Sequence, residues 1–128
     1  MTIPKYIKQL AVMAIVMLLL DIVYLSTIGA HVFSPMIKTI QCGTPLQLKL
    51  LPAALVYIVM ISGLYYFIIR HNRSVLEAAF LGLLVYLVYD LTNIAILSNY
   101  LWSAVILDGL WGGILFAITT ALTYYLAN

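Results

Sequence analysis

The sequence predicts an all-α polytopic membrane protein, an antiparallel bundle of four transmembrane helices, on three observations. Hydrophobic residues make up 66% of the 128-residue chain, charged residues 8%, and the mean hydropathy is +1.14. Soluble domains are about 45–50% apolar and about 25% charged, so this chain has too little polar surface to face water. Apolar stretches near the roughly 20 residues that a spanning helix needs recur along the chain. The links between most of them are short, which makes neighbouring spans antiparallel and leaves no room for a soluble catalytic domain.

The first span is placed at residues 7–29. Lys5 and Lys8 ahead of the run Leu10 to Leu20 resemble the basic and apolar parts of a secretory signal. Apolar character resumes after Asp21 with Ile22, Val23, Tyr24 and Leu25, and no clear small-x-small site follows, so the span is expected to be retained. The connection from Ala30 to Lys49 is longer than two antiparallel helices require. Its Val32, Phe33, Met36, Ile37 and Ile40 recur at helical spacing, which predicts a short helix anchored in the interface.

The second span, residues 50–69, carries Pro52 in its first turn, where a missing N–H costs nothing. Arg70, His71, Asn72 and Arg73 form a polar turn, and Ser74 with Glu77 has the spacing of a capping box opening the third span, residues 75–97. A tight turn at Ser98 and Asn99 leads into the fourth, residues 101–126.

Six basic and four acidic residues give a formal net charge of +2, with no basic run to track a phosphate backbone, so nucleic-acid binding has no support. A single cysteine, Cys42, excludes an internal disulfide and a cysteine metal cage. The charges report topology instead. With a cytoplasmic N-terminus, Lys5, Lys8, Arg70 and Arg73 lie inside while Lys38 and Lys49 lie outside, so both termini are expected in the cytoplasm, at the plasma (inner) membrane if the chain is bacterial. Tyr6, Tyr65, Tyr66, Tyr124 and Tyr125 then fall near the inner interface and Tyr100 and Trp102 near the outer one, as aromatic anchors.

Three aspartates lie inside apolar runs. An ionised carboxylate at the bilayer centre costs at least about 2.5–3.5 kcal/mol, so these must be sheltered, paired or protonated. At about 1.5 Å per residue, Asp21, Asp90 and Asp108 all fall about 20–22 Å from the inner boundary, and Tyr57 reaches the same level. Tyr86, Asp90, Asn93 and Leu97 share one helix face, as do Asp108, Trp111, Gly112 and Leu115. Carboxylates gathered at one depth resist ionising together, which is a basis for proton-linked chemistry. The bland alternative is a satisfied hydrogen-bond network of Asp90, Asn93, Asp108 and Tyr57 that fixes helix register.

Oxygen ligands of this kind would suit a hard divalent cation, but no spacing demands one, and neither a metal nor another cofactor is expected. His31 and His71 fall at opposite faces, and no histidine lies at the depth of the aspartates to activate a serine. Gly109, Gly113, Ala117 and Ala121 repeat every four residues, a flat ridge for close approach of another backbone. A helix of the same chain is the favoured occupant, with a second copy or another membrane partner as alternatives.

The run Tyr89-Asp-Leu-Thr-Asn93, continued by Ala95 and Leu97, resembles the signature of a family of small bacterial four-helix membrane proteins known as domain of unknown function 2177. Asp21 with Leu25 resembles the family's first-helix motif, with Tyr24 where the aromatic is usually tryptophan, and Asp108, Trp111 and Gly112 resemble its final motif. The resemblance implies the fold and a membrane location and carries no activity or substrate.

The leading functional expectation is binding or proton-linked transport of a small apolar or cationic solute. Asp21, Asp90 and Asp108 would hold a proton or cation, and Tyr57, Tyr86, Asn93 and Trp111 would shape the pocket. A lipid-modifying enzyme using one aspartate as base and another as acid is less favoured, and its catalytic residues are not assigned. A non-catalytic subunit docking through the glycine ridge is the third reading.

Overall fold

The computed structural model describes residues 2–128, in which every regular element is helical. Helix α1 covers Lys5–Tyr24 and passes through a π-helical turn, Leu25–Gly29, into α2, Ala30–Ile40. Helix α3 is Leu50–Phe67, α4 is Val75–Ile96 and α5 is Trp102–Ala127. Four helical segments are long and apolar enough to cross a membrane: Lys5–Ile40, Leu50–His71, Val75–Ile96 and Trp102–Ala127. Large apolar side chains such as Leu50, Leu51, Leu55, Ile58, Val59, Phe80, Val88 and Ile106 lie exposed along these helices. Such a coat requires a hydrocarbon surround. The chain is therefore an integral membrane protein built as a four-helix bundle.

Small residues decide which helices sit closest. Helix α4 packs most extensively on α5, α5 also packs on α1, and α1 on α3. At the α4–α5 crossing Gly82 faces Gly112. A methyl group on Gly82 would run into the Gly112 carbonyl and the Phe116 side chain, and one on Gly112 would meet Tyr86 and the Gly82 carbonyl. Apolar attraction between helices is weak in lipid, so this intimate backbone contact is what holds the pair together. Gly109 and Gly113 also face α4, against Leu87 and against the Ala79 carbonyl with Leu83. Farther along, Ala117 is half-buried and Ala121 exposed, so the small-residue ridge meets α4 in its first half and thins out beyond.

Below this crossing the interior is apolar and rich in methionine. Met13 and Met17 of α1 pack with Met60 and Leu64 of α3 and with Leu115 and Phe116 of α5. Unbranched, polarizable side chains suit such a layer because they fill the irregular gaps between helices that cross at different angles.

The segment after residue 29 differs in one respect from an interfacial helix standing apart from the first span. Helix runs without a break from Lys5 to Ile40, about 54 Å at 1.5 Å per residue against a hydrocarbon core of about 30 Å. Gly29 holds an ordinary right-handed helical conformation (φ −60°, ψ −41°) and stops nothing. The wider π-turn loosens the carbonyl ladder, and the hydroxyls of Ser26 and Thr27 bond back to the carbonyls of Ile22 and Val23 at 2.8 and 2.6 Å. Beyond it, α2 lies over the α4–α5 turn. Met36 packs on Tyr100, Ala104 and Val105, and its sulfur accepts the Leu101 N–H at 3.3 Å.

The opposite end is closed by caps. Ser74 and Glu77 form the full capping box, and Arg73 pairs with Glu77 at 2.6 Å in an exposed bridge. Tyr124 donates to the carbonyls of Arg73 and Ile68 at 2.7 and 3.3 Å, lashing the α3–α4 turn to the end of α5. Tyr6, Tyr66 and Tyr125 are exposed, as interfacial anchors should be.

Gly82→Leu should overpack the α4–α5 crossing, destabilise by about 1–3 kcal/mol or more and lower the melting temperature in mild detergent. Gly63→Leu, where a side chain meets open space, serves as the control and should leave the melting temperature unchanged.

Candidate functional site

Helical periodicity brings the acids inward. On α1 the buried residues are Gln9, Met13, Met17, Asp21 and Tyr24, one continuous face. On α5 the buried stripe includes Asp108, Gly112, Leu115, Thr119 and Thr123, with Trp111 half-buried beside it. Helix α4 contributes Asp90, wholly inaccessible, while Asp21 and Asp108 retain 6% and 7% exposure.

Each carboxyl group has a donor from elsewhere in the chain. Asp21 receives the Tyr57 hydroxyl of α3 on Oδ2 and the Trp111 indole N–H of α5 on Oδ1, the latter at 2.9 Å. Asp108 receives the Tyr24 hydroxyl of α1 at 3.3 Å. Asp90 receives the hydroxyl of Tyr100, just past the α4–α5 turn, at 2.5 Å. The Tyr24 ring stacks on Trp111 with centroids 4.6 Å apart and planes 17° from parallel. Through that stack the Asp21 and Asp108 halves become one unit, which ties all four spans together at one level.

Asp90 and Asp108 are neighbouring buried carboxyl groups on α4 and α5, the two most closely packed helices. Asp90 Oδ2 is buried with no donor facing it. The whole arrangement is a chain of contacts rather than a cage. Among the described residues no three His, Cys, Asp or Glu side chains converge closely enough to hold a metal ion.

The remaining residues singled out in the sequence lie at the margin. Tyr86 packs edge-on to Phe116, centroids 6.5 Å apart at 85°, and against Gly112. Asn93 approaches the Tyr100 hydroxyl.

Tyr100 corrects an expectation. It is 7% exposed and bonded to Asp90, so it is a site residue and not an outer anchor; Trp102, 65% exposed, keeps the surface position. Two site residues thus escaped the sequence reading. Tyr24 stands three positions after Asp21 on the same face, a signal that was present. Tyr100 lies beyond a turn, where no periodicity links it to Asp90. Buried Gln9, Thr119, Thr120 and Thr123 also escaped notice, and the Oγ1 atoms of Thr119 and Thr120 have no partner.

Trp111→Phe keeps the ring that stacks on Tyr24 and removes the donor to Asp21. It should cost about 1–3 kcal/mol, the penalty for an acceptor left short of a bond. Trp111→Ala, which also empties the stack, should cost more. Thermal unfolding of the two variants in the same detergent checks the order.

Comparison with curated proteins and with solved structures gives no match. A family profile described as "predicted membrane protein (DUF2177)" matches residues 6–125, the whole bundle with all three aspartates. The chain belongs to the DUF2177 family of membrane proteins.

Proposed function

We propose that the Asp90–Asp108 pair is an intramembrane proton-binding site and that the protein exchanges this proton for a small cationic solute, as a binding protein or transporter. The observation that carries the reading is the buried Asp90 Oδ2, without a donor and beside a second carboxyl group. In a medium of low dielectric two adjoining carboxylates do not both stay charged, so the pair holds one proton. A monovalent cation is the occupant whose charge can replace it. Asp21, with donors from Tyr57 and Trp111 on separate oxygens, is a positioning residue that orients the Trp111–Tyr24 stack.

The surroundings favour access from one side. On the way to the chain termini Met13, Met17, Leu64, Leu115 and Phe116 form a buried apolar layer. In the other direction α2 rests on Tyr100, the donor to Asp90. Parting of α2 from this turn would open the pair to water. The distribution of lysine and arginine argues for cytoplasmic termini, which would put that opening on the outer face.

Infrared spectroscopy of the protein in lipid near neutral pH should show a protonated carboxyl C=O band. The band should shift in Asp90→Asn and in Asp108→Asn, which change the partner of the remaining carboxyl group, and stay in place in Asp21→Asn. Its absence from the wild-type protein would remove the proposal.

Solute binding carries a sign. The proton competes with the cation, so affinity for a fluorescent monovalent organic cation should rise with pH, by up to about tenfold per pH unit while one proton is displaced. Tyr24, Tyr100 and Asp21 also face the pair, so the same titration on Tyr24→Phe and Asp21→Asn should keep the slope, and Asp108→Asn should flatten it. A pH-independent affinity in the wild-type protein contradicts exchange.

A further inference from the structure

A second polar site lies at the far end of the bundle, where α1 begins and α3 ends. A cavity of about 290 Å³ there is lined by Lys5, Tyr6, Gln9, Tyr65, Arg70 and Asn72, with Ile69 at its base. Two of these carry positive charge, and no carboxylate lines it. Nearby Glu77 is engaged with Arg73. The guanidinium of Arg70 is held 3.9 Å above the Tyr66 ring, which restrains it at the rim.

Gln9 is the independent observation. The residue is 5% exposed, it borders the cavity, and none of the side-chain hydrogen bonds among the described residues involves it. Its amide therefore opens onto the cavity with its hydrogen-bonding capacity unused within the protein, available to a group bound there. Everything around it can donate a hydrogen bond: an ammonium, a guanidinium, phenols and an amide. The first amides of α1 add the positive end of a helix.

We propose that this cavity binds the phosphate of an anionic group, supplied by a phospholipid headgroup. The donor set matches phosphate oxygens, and Lys5 and Arg70 match its charge. Position selects the lipid as source, since the cavity sits where two spanning helices end and headgroups lie. Two cations with no carboxylate among the lining residues give the cavity a net positive charge, so anionic headgroups are preferred over zwitterionic ones.

The test uses the full chain in neutral detergent, with thermal unfolding followed by tryptophan fluorescence during titration with phosphatidylglycerol, phosphatidylcholine or inorganic phosphate. Phosphatidylglycerol should raise the melting temperature and phosphatidylcholine should not. The double variant Lys5→Gln/Arg70→Gln, altered only at exposed positions, and Gln9→Leu should each need about tenfold more lipid for half the shift, the equivalent of about 1.4 kcal/mol. A shift with inorganic phosphate that the same variants lose would support the site with free phosphate as its source. Equal shifts with both lipids, a phosphatidylglycerol shift untouched by the double variant, or no shift with any probe would each overturn the proposal. None of these outcomes bears on Asp90 and Asp108, so the two sites stand or fall separately.

Discussion

A carboxyl group at lipid depth must find its donor on another segment, because the helix that carries it has already used its own N–H groups. This rule organises the molecule. Asp21 depends on α3 and α5, Asp108 on α1, and Asp90 on the residue that closes the α4–α5 turn. No span can slide along or rotate about its axis without stripping a hydrogen bond from an acid where no water replaces it. Register is set by polar atoms. Packing then follows from the small residues that allow the α4–α5 backbones to meet.

The two contributions fall on different pairs of helices. Helices α4 and α5 are joined by backbone proximity at Gly82 and Gly112. Helix α3 has little of this. It buries Met60 and Leu64 and leaves most of its length to lipid, so the Tyr57 hydroxyl is its chief polar link to the interior. A buried hydrogen bond counts for more on such a lightly held element than on a tightly packed one.

Much of the fold was legible because apolar length and polar punctuation are local properties. Four spans, the Ser74–Glu77 box and the antiparallel order follow from them. The continuity of α1 with α2 was not legible, since Gly29 reads as the end of a span, whereas the structure keeps it helical and packs α2 on Tyr100, Ala104 and Val105. At the site, the depth of Asp21, Asp90 and Asp108 could be counted along each helix, whereas the adjacency of Asp90 and Asp108 depends on how two helices cross. Tyr24 shows the same divide. As a motif residue it is an aromatic in place of tryptophan, and in three dimensions it both stacks on Trp111 and reaches Asp108. Thr123 was hidden for another reason: it returns its hydroxyl to the Thr119 carbonyl and so reads as an apolar residue on its own helix.

Because α1 and α2 form one uninterrupted rod, the segment resting on Tyr100 and the segment bearing Asp21 and Tyr24 are two arms of a lever pivoting at the wide-wound turn between them. A displacement of α2 from the α4–α5 turn would therefore be carried toward Tyr24 and its stack on Trp111.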